Sequence, residues 1–152
     1  MKKKTLLLIF IFFVFSSCGF EPIYLSKKSD FKIVKIETSK KNRLNSTITK
    51  YLKNISNSES TNYYEIKFNS IKEKKISSKD KKGNPQILTM IVSVNVEINN
   101  MSNMKKTKNF SEQFSYSNNS NKFSLSKYEK NIEKNLINKI ISNITLFMLT
   151  LE

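Results

Sequence analysis

The run Ile87-Leu88-Thr89-Met90-Ile91-Val92-Ser93-Val94-Asn95-Val96-Glu97-Ile98-Asn99 alternates through Ile91 or Val92, then Val94, Val96 and Ile98. A period of two is the pattern of a strand with one face buried. Directly upstream, Lys81-Lys82-Gly83-Asn84-Pro85 is a turn signal, and before it Tyr63 to Ser77 alternates too. Tyr64, Ile66 and Phe68 fall on one side, with Tyr63, Glu65, Lys67, Asn69 and Ile71 on the other. Lys72 interrupts the apolar side after Ser70, so the second half of this run reads as a bulge or a change of face. The two runs and their turn predict a β-hairpin. Asn99 to Asn103 marks the next turn, after which Lys105 to Ser117 alternates again, with Phe110, Phe114 and Tyr116 on one face apart from Glu112. A three-stranded meander results.

Working outward, Asp30 to Thr38 is β-branched and bounded by polar stretches, a short strand. From Asn42 the period changes: Leu44, Ile48, Tyr51, Leu52 and Ile55 follow helical spacing. After the Asn/Ser loop at 117–122, Tyr128, Ile132, Leu136, Ile140 or Ile141, Ile144 and Met148 form one stripe, predicting a long helix over roughly residues 125–149 capped by Ser126 ahead of Glu129. The order β-α-β-β-β-α predicts an α+β two-layer sandwich, with two helices packed on one face of a four-stranded sheet.

Composition narrows the function. The chain of 152 residues has no His, one Cys and two Gly. An internal disulfide, a His/Cys zinc site and imidazole-based catalysis are therefore excluded, as are glycine-rich phosphate-binding fingerprints. No pair of carboxylates or lysines is marked for acid–base work, so a non-enzymatic, cofactor-free binding or structural protein is expected.

Met1-Lys2-Lys3-Lys4 followed by the apolar run Leu6 to Phe15 and the small residues Ser16 and Ser17 has the form of a secretory signal peptide, residues 1–17. The run is too short for a membrane span, which takes about 20 apolar residues. It ends at Cys18, the only cysteine, and the segment Phe15-Ser16-Ser17-Cys18-Gly19 resembles a bacterial lipobox. That resemblance implies cleavage before Cys18 and its lipidation, leaving residues 18–29 as a tether and residues 30–150 as one α+β domain. Three acyl chains, at roughly 0.8 kcal/mol per buried CH₂, make a permanent anchor. The absence of Asp beside Cys18 resembles lipoproteins of the outer membrane, facing the periplasm. Loss of three lysines with the leader reduces the formal charge from +15 to +12. Such a surface implies anionic partners, and export removes nucleic acid from consideration.

The start Cys18-Gly19-Phe20-Glu21-Pro22-Ile23-Tyr24, followed by a basic α+β domain of this order, resembles the LPS-assembly lipoprotein family LptE in its alphaproteobacterial form, Cys-Gly-Phe-x-Pro-x-Tyr. Glu21 stands where those members have Arg or Lys, and Ile23 where they have Leu. The resemblance implies an outer-membrane lipoprotein that plugs the LptD β-barrel, helps to assemble it and serves lipopolysaccharide transport to the outer leaflet. The alternative is an accessory lipoprotein of another envelope machine, such as a barrel-folding complex, a secretin pilot or a transport adaptor.

With strand one parallel to strand two, the topology predicts one pole carrying Lys40, Lys41 and Arg43 after strand one, Lys79, Lys81 and Lys82 at the hairpin, and Lys122 after strand four. These seven cations are expected to meet lipopolysaccharide phosphates or an acidic patch of the barrel. If strand edges meet the barrel instead, Tyr63, Tyr64, Phe114 and Tyr116 are expected to matter more.

Overall fold

The computed structural model describes residues 30–100 and 105–151. The expected leader, Cys18, the tether and the centre of the Asn99–Asn103 turn lie outside them. The elements run β1 (Lys32–Thr38), α1 (Arg43–Ile55), β2 (Tyr63–Lys79), β3 (Pro85–Asn100), β4 (Lys105–Ser117) and α2 (Lys122–Leu149). The strands form one sheet in the order β1-β2-β3-β4, with β1 parallel to β2 and the other pairs antiparallel. Both helices pack on one face, so the architecture is the expected two-layer α+β sandwich.

The core is where the two helical stripes meet the inward residues of the strands. Ile66 and Phe68 of β2, Val92, Val94, Val96 and Ile98 of β3, and Phe110 of β4 are buried against Leu44, Ile48 and Leu52 of α1 and Ile132, Leu136, Ile140, Ile144 and Met148 of α2. Each such side chain contributes roughly 1.5–3 kcal/mol by leaving water. The opposite sheet face is mainly polar, with Ile71 and Ile87 exposed on it: Ser77, Thr89 and Ser115 form a chain of hydroxyl hydrogen bonds across three strands, and Ser93 bonds Ser111 at 2.9 Å. One covered and one wetted face explains the alternation.

The alternation of β2 does not change face after Ser70. Lys72 and Lys74 stay on the helix side because α2 offers them carboxylates: Lys72 Nζ lies 2.7 Å from Glu133 and Lys74 Nζ 3.1 Å from Glu129. In the β2–β3 ladder irregular register comes only near the tip, at Ile76/Ser78 and Ser78/Lys79. The second correction concerns α2, which begins at Lys122 rather than near Ser126. The Asn121 side chain accepts from Ser124 N–H at 3.0 Å and caps the helix one turn early. Lys122 is thus the first residue of a helix, not part of a loop. Tyr128, expected in the core stripe, is 47% exposed.

Candidate functional site

Height along the sheet distinguishes the predicted cations. The seven-residue β1 ends at Thr38, whose register partner is Phe68, while the seventeen-residue β2 continues to Lys79. Eleven further residues at about 3.3 Å each carry the β2–β3 hairpin about 35 Å beyond the end of β1. The seven cations therefore do not share one pole. Lys79, Lys81 and Lys82 stand at the hairpin tip; Lys40, Lys41 and Arg43 sit at mid-height, because β1 and α1 cover only the lower part of the hairpin. Lys122 belongs with the tip: Asn118 bonds Pro85 O at 2.8 Å through its amide and Gln86 O at 2.8 Å through its backbone N–H, drawing the start of α2 to the base of the turn.

The tip is organised by Asp80. Its carboxylate accepts from the N–H groups of Lys82 and Asn84, each at 2.8 Å, and from the Asn84 side chain at 3.1 Å, while Gly83 adopts φ +83° and donates to Asp80 O at 3.0 Å. Glycine supplies that left-handed conformation without steric cost. The hydrogen bonds from Asn84, backbone then side chain, hold the Asp80 carboxyl below its ordinary value. Asp80 thus stays charged and fixes the turn from which three lysines project. Beside them, Phe123 is 82% exposed and Ile76 52% exposed, so the tip combines cations with apolar side chains.

At mid-height Arg43 serves another purpose. Its guanidinium lies 3.5 Å from Glu133, which is 8% exposed and also holds Lys72. Arg43 is thus engaged in a partly buried ion cluster. Above it, Glu129 receives both Lys74 and the Tyr116 hydroxyl, the latter at 2.7 Å. Burial raises the Glu129 carboxyl, but the hydrogen bonds from Tyr116 and Lys74 outweigh it and leave the group below its ordinary value; burial, then Glu129, pushes Tyr116 well up. Of the four aromatic residues expected at strand edges, Tyr64 and Tyr116 are core residues. Tyr63 faces the other side of β2 with Lys32 5.5 Å from its ring centre, and Phe114 is 46% exposed on β4.

Lys41 finds a different setting. With Lys50, Lys53, Thr38, Ser46 and Thr49 it lines a recess of about 480 Å³ between α1 and the end of β1. Ser46, Lys50 and Lys53 recur at i, i+4 and i+7, so the polar face of α1 carried this signal in the sequence. Among the described residues, no group of three or more His, Cys, Asp and Glu side chains is placed to hold a metal.

The fold of this two-layer sandwich is similar to that of several solved structures. The crystal structure of rare lipoprotein B from Shewanella oneidensis matches with a TM-score of 0.59 at 12% identity, covering 79% of this chain and 98% of that one. This chain has the fold of that lipoprotein. A minor lipoprotein from Acinetobacter baumannii matches with a TM-score of 0.56 at 14% identity, over 75% and 87% of the two chains. A putative lipoprotein from Caulobacter crescentus gives 0.54 at 9% identity, over 84% and 93%. No family model and no curated protein matches the sequence.

Proposed function

We propose that the protein is a lipid-anchored outer-membrane accessory protein of lipopolysaccharide transport, acting on an LptD-like β-barrel as LptE-family lipoproteins do. The observation that carries this reading is the conjunction of a lipobox-like start at Cys18 with a fold shared with solved bacterial lipoproteins. The anchor accounts for the lone cysteine, and the fold accounts for a chain whose composition offers no catalytic constellation. The periplasm-facing domain would present two cationic surfaces: Lys79, Lys81, Lys82 and Lys122 at the tip, and Lys41, Lys50 and Lys53 around the α1 recess. Lipopolysaccharide is a phosphorylated amphiphile, and a tip pairing lysines with exposed Phe123 and Ile76 suits both of its parts.

The test is an affinity pulldown of the full-length lipoprotein from solubilised outer membranes, with bound proteins identified by mass. Recovery of a large β-barrel in roughly one-to-one ratio is expected. Recovery of a different envelope complex without such a barrel overturns the transport assignment in favour of an accessory subunit of another machine. In parallel, labelled palmitate is expected to be incorporated into the full-length chain and to be lost in Cys18→Ser; absence of label from the unsubstituted chain would remove the anchor from the reading.

A further inference from the structure

The sheet has three stretches of strand edge without a strand partner among the described residues, and they are guarded differently. The outer edge of β1 is short, interrupted between Ile33 and Lys35, and carries Lys32, Lys35 and Glu37. The edge of β2 above Phe68 carries Lys72, Lys74 and Lys75. Charge, especially lysine, and broken register are the usual means of keeping an edge from pairing. The outer edge of β4 has no lysine and no broken register along Asn109-Phe110-Ser111-Glu112-Gln113-Phe114-Ser115-Tyr116-Ser117. Its register with β3 is unbroken, it has no proline, and its single charge, Glu112, is occupied by Lys139 at 2.7 Å and Asn143 at 3.2 Å.

The ladder tells which backbone groups face outward. Asn118 N–H donates to Gln86 O, and the two-residue period of an antiparallel pair then turns the even-numbered residues of β4 towards β3. Thr107, Asn109, Ser111, Gln113 and Ser115 accordingly point their N–H and C=O groups away from the sheet. Next to this edge, α2 and the inward side chains of β4 leave two apolar recesses. One, of about 370 Å³, lies at Phe110, Leu146 and Phe147; the other, of about 110 Å³, at Phe114, Tyr128 and Leu136. The Glu112–Lys139 pair separates them. Phe110 and Phe114 are four residues apart, about 13 Å along a strand. At the lower end, Lys106 and Lys108 pair with no carboxylate among the described residues, and Lys108 lies 4.7 Å from the ring centre of Phe147.

We propose that β4 is a docking edge for an extended segment of a partner protein, which adds a fifth strand to the sheet. The segment carries apolar side chains four residues apart for the two recesses, a small polar residue midway over Glu112–Lys139, and acidic residues at the end beside Lys106 and Lys108. Main-chain hydrogen bonds supply affinity in such strand addition, and alternate side chains supply specificity. The charge of the chain, +15 in the full sequence, disfavours a second copy as the occupant. This proposal needs only the fold and is independent of the transport reading.

The probe is the fluorescently labelled peptide Thr-Leu-Thr-Ser-Thr-Leu-Thr-Asp-Thr-Asp. Laid antiparallel to β4, it sets its leucines at Phe114 and Phe110 and its acids at Lys108 and Lys106. Anisotropy titration of the full-length lipoprotein in detergent is expected to show saturable binding. Gln113→Pro removes one outward N–H while sparing the bonds to β3, and is expected to weaken binding about tenfold or more without loss of circular dichroism. Lys106→Glu with Lys108→Glu is expected to weaken the acidic peptide and to favour a version with lysines in place of its aspartates. Absence of saturable binding, or equal binding by Gln113→Pro, overturns the proposal. A peptide-independent dimer in sedimentation that Gln113→Pro abolishes would also overturn it, by assigning the edge to a second copy.

Discussion

Two lysines inside the helix-covered layer illustrate what a single residue can and cannot announce. Lys72 and Lys74 look like interruptions of a strand because the carboxylates that receive them, Glu133 and Glu129, lie 61 and 55 positions further along the chain. No local pattern contains that pairing. Glu133 is the buried member and Lys72 the half-exposed one, so the cost of breaking the pair is asymmetric. Lys72→Met is expected to cost about 2 kcal/mol in urea unfolding, less than a fully buried pair because Arg43 remains near Glu133. Adding Glu133→Leu should recover most of that loss, since no unpaired buried charge is then left. Acid acts on the same scale. Asp80 and Glu129 are held below their ordinary values of 3.8 and 4.5, so their stabilising contribution is present at neutral pH and disappears as pH falls through the folded-state values. Amide protection at Lys82 and Asn84, corrected for the intrinsic exchange rate, should fall as Asp80 takes up its proton below the ordinary carboxylate range; protection that stays constant through that titration would show that Asp80 does not hold the turn.

Elements were more legible than their junctions. β4 runs from Lys105 to Ser117 as the alternation indicates, and α1 starts after Asn42, whose side chain accepts from Asn45 N–H at 2.8 Å. Both are announced by short polar residues placed at a change of period. The start of α2 is ambiguous in the sequence because two short polar side chains compete there, and in the fold Asn121 rather than Ser126 caps the helix. The hairpin is the element whose turn is most exacting. Gly83→Ala places a Cβ at φ +83°, where space is open but the backbone is strained. It should cost about 1 kcal/mol and lower the thermal midpoint, with the sheet otherwise intact. An unchanged midpoint would mean that the turn tolerates the substitution by changing its type.

For the whole molecule, layer number and element order were legible because each follows from one periodicity at a time. The grouping of the cations was not, because it depends on the register that sets the end of β1, Thr38, beside Phe68 in the lower half of β2, and no local pattern contains that pairing. Lys40, Lys41 and Arg43 therefore separate from Lys79, Lys81, Lys82 and Lys122. The proposed function makes the tip the test of that separation. Replacing Lys79, Lys81 and Lys82 together by Gln is expected to weaken binding of purified lipopolysaccharide several-fold at low salt and to flatten its salt dependence, whereas unchanged binding would remove the tip from the ligand contact.

The mismatch in length between β1 and β2 gives the domain a mechanical polarity. The β2–β3 ladder closes through the tight turn Asp80–Asn84, at small loop entropy, while β1 meets β2 only after the whole of α1 has been gathered in between. Loop-closure entropy therefore favours forming the hairpin before β1 docks on it. Under the proposed anchoring at Cys18, force entering the domain at β1 would load the short parallel ladder first and peel it away while the long hairpin and its tip kept their shape.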